Sequence, residues 1–232
     1  MKDLFINDQF SDECYDRMEE VENDRKYSFI DNYRFQLNKK LLCPGNVLDV
    51  GAFYGDFLLL ALKDKRKIFG TDINKKRVER LNNKLGGDYC CVDFRNGKLL
   101  NFDTESIDNV VCTEVIEHIP DDQLAISELF RVARKKVIIS VPYKEKIVVD
   151  FCFHCGNYLP RDGHFHCYDK ETLDKYVPKS WVIVKKKTLG NIYLELIRLI
   201  KPDIKIPYTL ISFIDSIPSI KWQWLLLCIE KR

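Results

Sequence analysis

The stretch that decides the fold is Val47-Leu48-Asp49-Val50-Gly51-Ala52-Phe53-Tyr54-Gly55-Asp56-Phe57. A short apolar run ends at Gly51, a second glycine follows at Gly55, and apolar residues then recur at helical spacing. Strand, glycine turn and helix in this order begin a βαβ unit. Glycine in such a turn permits a positive φ and lets a ligand approach the backbone closely, although the same turn also forms without a ligand. The stretch predicts an α/β fold with a candidate ligand site at one edge of its sheet.

The alternation of strands and helices continues along the chain. Strands are predicted at residues 46–50, 67–71, 89–92, 109–115 and 136–141. Helices between them include one capped by Asn74 and one that begins near Pro120. Later elements are expected at residues 170–176 (helix), 181–187 (strand), 191–200 (helix) and 223–229 (strand). Five strands joined by helices predict a parallel sheet.

Composition limits the classes of function. Hydrophobic residues make up 46% and charged residues 31% of the 232 positions, which is ordinary for one globular domain. A net charge of +2 provides no global attraction for nucleic acid. Nine cysteines, an odd number with Cys90 and Cys91 adjacent, favour a reducing environment over a disulfide framework. With no basic and apolar leader and no apolar stretch of the ~18 to 20 residues that a spanning helix needs, we expect a cytoplasmic protein without a membrane span.

The chain divides into a cap and a main domain in this interpretation. Residues 1–44 form an N-terminal helical cap, and residues 45–232 form the domain. The first 25 residues are acidic, with a thin apolar stripe at Cys14, Met18 and Val21 that suggests a lid. A solvated acidic helix with no functional role is the alternative. Two inserts interrupt the domain, a Cys/His-rich one at residues 151–168 and an apolar one at residues 190–220.

Acidic residues follow or occupy several of the predicted strands. Asp72 ends the second strand, where a carboxylate can accept two hydrogen bonds from ribose hydroxyls, and it follows Gly51 at close to the ~20 residues expected for that role. Asp93 ends the third strand, placed to accept from an adenine amino group while Phe94 packs on the ring. Asp49 lies within the first strand. Each acid alone could be a loop residue or a helix cap, but together they favour a nucleotide-type site.

These motifs resemble those of the class I S-adenosylmethionine-dependent methyltransferases, in particular the type 11 and type 23 groups. The resemblance covers about residues 45–142 and includes Gly70-Thr71-Asp72-Ile73 and Val92-Asp93-Phe94. Its most specific part is the fourth-strand segment, residues 106–119, which reads SIDNVVCTEVIEHI. A dehydrogenase would need the spacing G-x-G-x-x-G, which this turn does not have.

The resemblance implies the fold, the cofactor and its site. It implies a Rossmann-like, doubly wound, mostly parallel seven-stranded sheet with an antiparallel last strand. S-adenosylmethionine is the implied cofactor, and the residues implied in binding it are Asp49, Gly51, Ala52, Phe53, Gly55, Asp72, Ile73, Asp93, Phe94 and Glu114. The family often has glycine where this chain has Phe53.

Methyl transfer from a sulfonium is an in-line displacement, for which alignment and exclusion of water supply much of the rate. A hydroxyl acceptor benefits from a nearby base, and histidine suits neutral pH. His118, just after the fourth strand, is the first candidate for that base, and His164 is a second residue that could face the acceptor. Alternatively, Glu117 and His118 only shape the loop before Pro120. The expected acceptor is a small molecule or glycan, methylated on oxygen.

A cluster of cysteine and histidine follows the fifth strand. A C-x-x-C turn and a later histidine suit tetrahedral zinc, so the candidate ligands are Cys152, Cys155, His164 and His166, with Cys167 as an alternative. A subset of the same family carries a similar insert. A reduced loop without metal is the alternative. A second function from another class, a binding module that recruits protein or RNA through this cluster, also remains open.

The apolar insert near the C-terminus, residues 190–220, is expected to pack against the domain. The alternatives are that it walls the acceptor pocket or contacts a second copy of the chain in a homodimer.

Overall fold

The structure is a computed structural model that describes residues 28–86, 88–92, 100–151, 153, 156–201 and 204–232. The predicted acidic helix at the N-terminus lies outside the described residues. So do four predicted site residues, Asp93, Phe94, Cys152 and Cys155. The side chains at positions 88 and 91, within the third strand, are not described either.

A seven-stranded sheet forms the centre of the molecule. Its members are β1 (Val47–Val50), β2 (Ile68–Asp72), β3 (Asp88–Cys91), β4 (Ile107–Thr113), β5 (Ala133–Pro142), β8 (Trp181–Asn191) and β9 (Trp222–Lys231). Their order across the sheet is β3-β2-β1-β4-β5-β9-β8. The first five run parallel, whereas β9 is antiparallel to both of its neighbours, β5 and β8. The predicted doubly wound sheet with an antiparallel last strand is confirmed.

Helices cover both faces of this sheet, as parallel strands require. They are α1 (Phe29–Leu41), α2 (Asp56–Leu62), α3 (Lys75–Leu85), α4 (Asp122–Val132), α5 (Ile192–Ile200) and α6 (Tyr208–Ile214). Two short 3₁₀ helices, Ile116–His118 and Leu173–Tyr176, and a hairpin of β6 (Val149–Phe151) and β7 (Tyr158–Pro160) complete the described elements. The residues of β1 are buried, so the strand that leads into the first glycine turn is packed in the core.

Local chemistry sets where these helices begin. Asn74 caps α3 as predicted, because its side chain accepts from the amide of Arg77. The helix predicted at residues 170–176 is shorter in the structure, where only Leu173–Tyr176 forms one 3₁₀ turn. The carboxylate of Asp169 accepts from the amides of Glu171 and Thr172, as the side chain of a helix N-cap does, but only this one turn follows it.

The C-terminal apolar insert packs on the domain along only part of its surface. Leu194 of α5 and Ile211 of α6 are buried against α1 and the sheet. The opposite face stays open, because Leu199 is 66% exposed, Ile200 76% and Phe213 66%. Within the described residues, no helix is both long and apolar enough to cross a membrane. The five cysteines that the structure describes as free are Cys43, Cys90, Cys112, Cys167 and Cys228.

The contact between the insert and the domain depends on Asp215. This side chain is fully buried and accepts from Tyr33 of α1 (3.1 Å), from Lys187 of β8 (2.8 Å) and from the amide of Gly190 (2.8 Å). One carboxylate therefore joins the end of α6 to α1 and to the edge strand.

We predict that Asp215→Ala lowers the free energy of unfolding by about 3 kcal/mol, because it leaves buried donors without their acceptor. Urea unfolding followed by circular dichroism measures the change. Asp150→Ala is the matched control, since Asp150 forms an exposed ion pair with Arg161 and its loss should have little effect. Equal effects of the two substitutions would contradict this role for Asp215.

Candidate active site

The turn after β1 has a geometry that only glycine satisfies. Gly51 has φ 79°, and its amide and that of Ala52 both donate to the carbonyl of Thr71 at 2.8 Å. A Cβ at Gly51 would lie 2.2 Å from Cγ2 of Val115. The missing side chain therefore lets the segment after β4 lie directly on the turn after β1. The carboxyl ends of β1, β2 and β4 meet at this point.

The residues that follow Ala52 pack against α3. Phe53 has φ 51°, and the guanidinium of Arg77 lies 4.2 Å from the centre of its ring. Gly55, with φ 76°, precedes α2, where a Cβ would lie 2.5 Å from the side chain of Leu81. The bulkier turn at Phe53, where the family often has glycine, is thus packed against a cation.

Asp72 lies where the sequence predicts it, at the end of β2 and facing the first turn. Its side chain accepts from the amides of Phe53 at 3.0 Å and Asn74 at 2.9 Å and is only 5% exposed. Ile73 follows it and is half-buried. The carboxylate therefore joins the turns that follow β1 and β2.

Asp49 lies inside β1 and is 4% exposed. Burial, with a smaller contribution from the nearby charge of Asp72, raises the pKa of its carboxyl to about 8. Asp49 is therefore largely protonated in the folded protein at neutral pH. It lies below the turn as a neutral acid.

Glu114 lies just after β4 with φ 57°, a backbone conformation that few non-glycine residues adopt. Three donors hold its carboxylate: Arg34 at 2.9 Å, Ser140 at 3.2 Å and Trp224 at 2.8 Å. Arg34 also lies 4.1 Å above the ring of Trp224. Burial raises the pKa of Glu114, although Arg34 opposes the shift.

Sequence reasoning missed Arg34 and Trp224 as partners of this site. They come from α1 and β9, near opposite ends of the described chain, and no local motif marks either residue. The positive φ of Glu114 indicates strain that these contacts hold in place.

The 3₁₀ helix Ile116–His118 brings two further side chains to this edge. Glu117 is 1% exposed, and burial raises the pKa of its carboxyl well above the usual range. His118 Nδ1 lies 3.2 Å from the carbonyl oxygen of Gly163. Burial, together with the neighbouring His164, lowers the pKa of His118 to about 4, so its imidazole is neutral at neutral pH.

The loop at residues 163–166 runs along this 3₁₀ helix. The amide of Phe165 donates to the carbonyl of Glu117 at 2.7 Å, and His166 Nε2 lies 2.9 Å from the carbonyl oxygen of Ile119. The rings of His118 and His164 are 4.5 Å apart, and Nδ1 of His164 contacts the carboxylate of Glu145. The two predicted catalytic histidines therefore lie side by side.

The predicted zinc ligands are only partly described. His164 lies beside His118, whereas His166 faces Ile119 and lies 3.7 Å from Asp122. Cys167 is exposed as a residue, but its thiol group is partly buried, and this burial raises the pKa of the thiol. Because Cys152 and Cys155 lie outside the described residues, the zinc set stays a prediction.

A family model for the methyltransferase domain matches residues 48–141, which span β1 to β5. This match covers the first glycine turn, Asp72 and the segment from Glu114 to His118. The chain has the fold of the class I S-adenosylmethionine-dependent methyltransferases.

Solved structures share the fold of this chain. A SAM-dependent methyltransferase from Archaeoglobus fulgidus has a TM-score of 0.65 at 19% identity, over 94% of this chain and 99% of the other. Magnesium protoporphyrin IX methyltransferase (ChlM) from Synechocystis PCC 6803, solved with bound SAH, has a TM-score of 0.60 at 15% identity, over 97% of each chain. A complex of the Haloferax volcanii Trm112 methyltransferase activator with a putative methyltransferase gives a TM-score of 0.56 at 16% identity, over 98% of this chain and 99% of the other. A comparison with curated proteins found no match.

The raised pKa of Asp49 makes the stability of the protein depend on pH. The carboxyl ionises near pH 4 in the unfolded chain but, with a pKa of about 8, only near pH 8 in the folded protein. Between these two pH values Asp49 therefore takes up a proton when the chain folds. Its contribution to stability is lost as pH rises. We predict that Asp49→Asn becomes more stable relative to wild type as pH rises from about 5 to 8.

Urea unfolding at pH 5, 6, 7 and 8 measures this difference. Asn keeps the shape of the side chain and cannot ionise, so the comparison isolates the one proton. A difference that stays constant over this range would contradict the assignment of a neutral, buried Asp49.

Proposed function

We propose that this methyltransferase transfers the methyl group of S-adenosylmethionine to an oxygen atom of a small molecule or glycan. The observation that carries the proposal is the meeting of the first glycine turn, Asp72 and Glu114 at one edge of the sheet. In open α/β sheets this carboxyl edge is where ligands bind.

We assign three of the described residues to the cofactor. Gly51, on which Val115 packs in the absence of a Cβ, is assigned to its methionine end. Asp72, which ends β2 and accepts from the amides of Phe53 and Asn74, is assigned to the ribose hydroxyls. Glu114, held by Arg34 and Trp224, provides an anchored acid on the methionine side. Ala52, Phe53, Gly55 and Ile73 complete the surface, and we assign Asp93 and Phe94 to the adenine.

The transfer itself needs alignment more than a covalent intermediate. The acceptor oxygen passes its proton to water and uses a lone pair to bond the methyl carbon, while the electrons of the broken carbon–sulfur bond stay on sulfur. S-adenosylhomocysteine is the second product. Since positive charge at sulfur disappears in this step, a site with little water favours it.

An oxygen acceptor is supported by the polar groups that follow β4. His118 and His164 lie together at this end of the strand, and His118 is neutral because the pKa of its ring is lowered to about 4. A ring with so low a pKa holds a proton weakly, so orienting the acceptor hydroxyl is a better role for it than full proton abstraction. The N-terminal residues 1–44 and the insert at 151–168 are proposed to shape the acceptor pocket.

We predict that wild-type protein binds S-adenosylhomocysteine and that Asp72→Asn weakens this binding about 10- to 100-fold, as expected when hydrogen bonds to a charged acceptor are lost. Isothermal titration calorimetry measures both affinities. Asp103→Asn is the matched control, because Asp103 is exposed and lies before the amino end of β4, opposite to the carboxyl end where the cofactor is proposed to bind. No binding by wild type, or unchanged binding by Asp72→Asn, would overturn the cofactor assignment.

The acceptor class has its own test. Incubation with S-adenosylmethionine labelled in its methyl group and with a fractionated metabolite and oligosaccharide pool should label a low-molecular-weight product. We expect the label in an ether or ester, which nuclear magnetic resonance of the purified product identifies by the methyl carbon shift. Label found only on nitrogen or carbon, or only in protein or RNA, would refute an oxygen acceptor on a small molecule or glycan.

A further inference from the structure

Three side chains that could bind a metal ion meet at the end of β4. One ligand atom each from Glu117, His118 and His164 lies within 4.8 Å of the other two. Glu117 and His118 come from the 3₁₀ helix. His164 comes from the loop at residues 163–166, which is hydrogen-bonded to the backbone of that helix. Two histidines and one carboxylate form a ligand set that first-row transition metals accept while positions remain open for other ligands.

Glu117 has no hydrogen-bond partner for either carboxylate oxygen among the described residues, although it is 1% exposed. A buried carboxylate without donors is costly, and buried charges in proteins are normally paired or coordinate metals. The guanidinium of Arg34, which also reaches this edge, is bound to Glu114 instead. A positive charge bound between Glu117 and the two histidines would supply the partner that this carboxylate lacks.

In both histidines the hydrogen bond is made by Nδ1, which leaves Nε2 of each ring for a metal. His118 Nδ1 faces the carbonyl oxygen of Gly163, which can only accept, so this nitrogen is the donor and Nε2 keeps its lone pair. His164 Nδ1 faces the carboxylate of Glu145, which assigns its proton in the same way. A carboxylate that orients a histidine from behind is the usual outer partner of a metal-bound imidazole.

We propose that Glu117, His118 and His164 bind a divalent transition-metal ion of the Mn²⁺, Fe²⁺, Co²⁺ or Zn²⁺ type, with Glu145 positioning His164. This site differs from the predicted cysteine site, because it uses neither Cys152 nor Cys155 and assigns His164 to a different set. Imidazole ligands favour these ions over Mg²⁺ and Ca²⁺. Bond lengths of ~2.1 Å require the three ligand atoms to lie closer together than the 4.8 Å within which they now lie.

The role of the ion rests on the proposed function, since it concerns the acceptor oxygen, which His118 then orients through the metal instead of by direct contact. Val115 contacts Gly51, so the ligand segment lies next to the proposed cofactor turn. A cation here binds the acceptor oxygen in an open position and lowers the pKa of its hydroxyl. The hydroxyl proton passes to water, the oxygen lone pair forms the bond to the methyl carbon, and S-adenosylhomocysteine leaves with the electrons of the broken bond.

The test is Mn²⁺ binding to full-length protein freed of metal by a chelator. Titration followed by electron paramagnetic resonance gives the affinity, and pulsed measurements detect coupling to histidine nitrogen. We expect one Mn²⁺ per chain with nitrogen coupling. Glu117→Gln and His164→Asn should abolish the binding, and Glu145→Gln should weaken it about 10- to 100-fold, as for other outer partners.

Two further variants distinguish this site from the cysteine cluster and from weak binding of Mn²⁺ to surface acids. Glu171→Gln removes an exposed acid and should bind Mn²⁺ like wild type. Cys155→Ser should also bind normally, whereas loss of Mn²⁺ in that variant but not in Glu117→Gln would assign the metal to the cysteine cluster and overturn the proposal. Thermal unfolding without metal checks folding, and Glu117→Gln is expected to be at least as stable as wild type, since it removes a buried acid without donors.

Binding of S-adenosylhomocysteine to the same preparations distinguishes the two proposals. Normal binding of the nucleoside together with no Mn²⁺ binding would reject the metal site and leave the methyltransferase assignment intact. Normal Mn²⁺ binding with no nucleoside binding would reject the proposed function and leave the metal site in place.

Discussion

The contact between Gly51 and Val115 is the constraint on which the rest of the site depends. The backbone at Gly51 has a positive φ and leaves no space for a Cβ. The segment that follows β4 can therefore pack on the turn that follows β1. Glu114 precedes Val115 in this segment, and Glu117 and His118 follow it.

Residues from distant parts of the chain then hold this arrangement. Arg34 from α1 and Trp224 from β9 both bind Glu114, and the loop at residues 163–166 is bonded to the 3₁₀ helix. The antiparallel strand β9 thus has a role beyond closing the sheet, because it brings a donor to the edge where the cofactor is proposed to bind. Rigid support of this kind is what a site that works by alignment requires.

Local pattern was sufficient to predict much of this. Strand and helix order, the cap at Asn74, the glycine turn and the place of Asp72 all follow from short-range spacing, and the structure agrees with them. The element at Leu173–Tyr176 differs, because it is a single 3₁₀ turn where a helix over residues 170–176 was predicted.

Long-range contacts were beyond the reach of the same reasoning. The pairing of His118 with His164 joins segments on either side of β5, and sequence spacing instead suggested His164 as a partner of cysteines. Glu117 was interpreted as a possible loop-shaping residue, since nothing near it in sequence shows that its carboxylate is buried without donors. Burial and partners of this kind depend on the tertiary fold.

A crystal structure of the protein with S-adenosylhomocysteine tests the central claim most directly. The account predicts that the ligand lies across the ends of β1, β2 and β4, with its ribose hydroxyls bonded to the carboxylate of Asp72 and its amino-acid end beside Gly51 and Glu114. Binding at any other surface, or a ribose that does not contact Asp72, would contradict it.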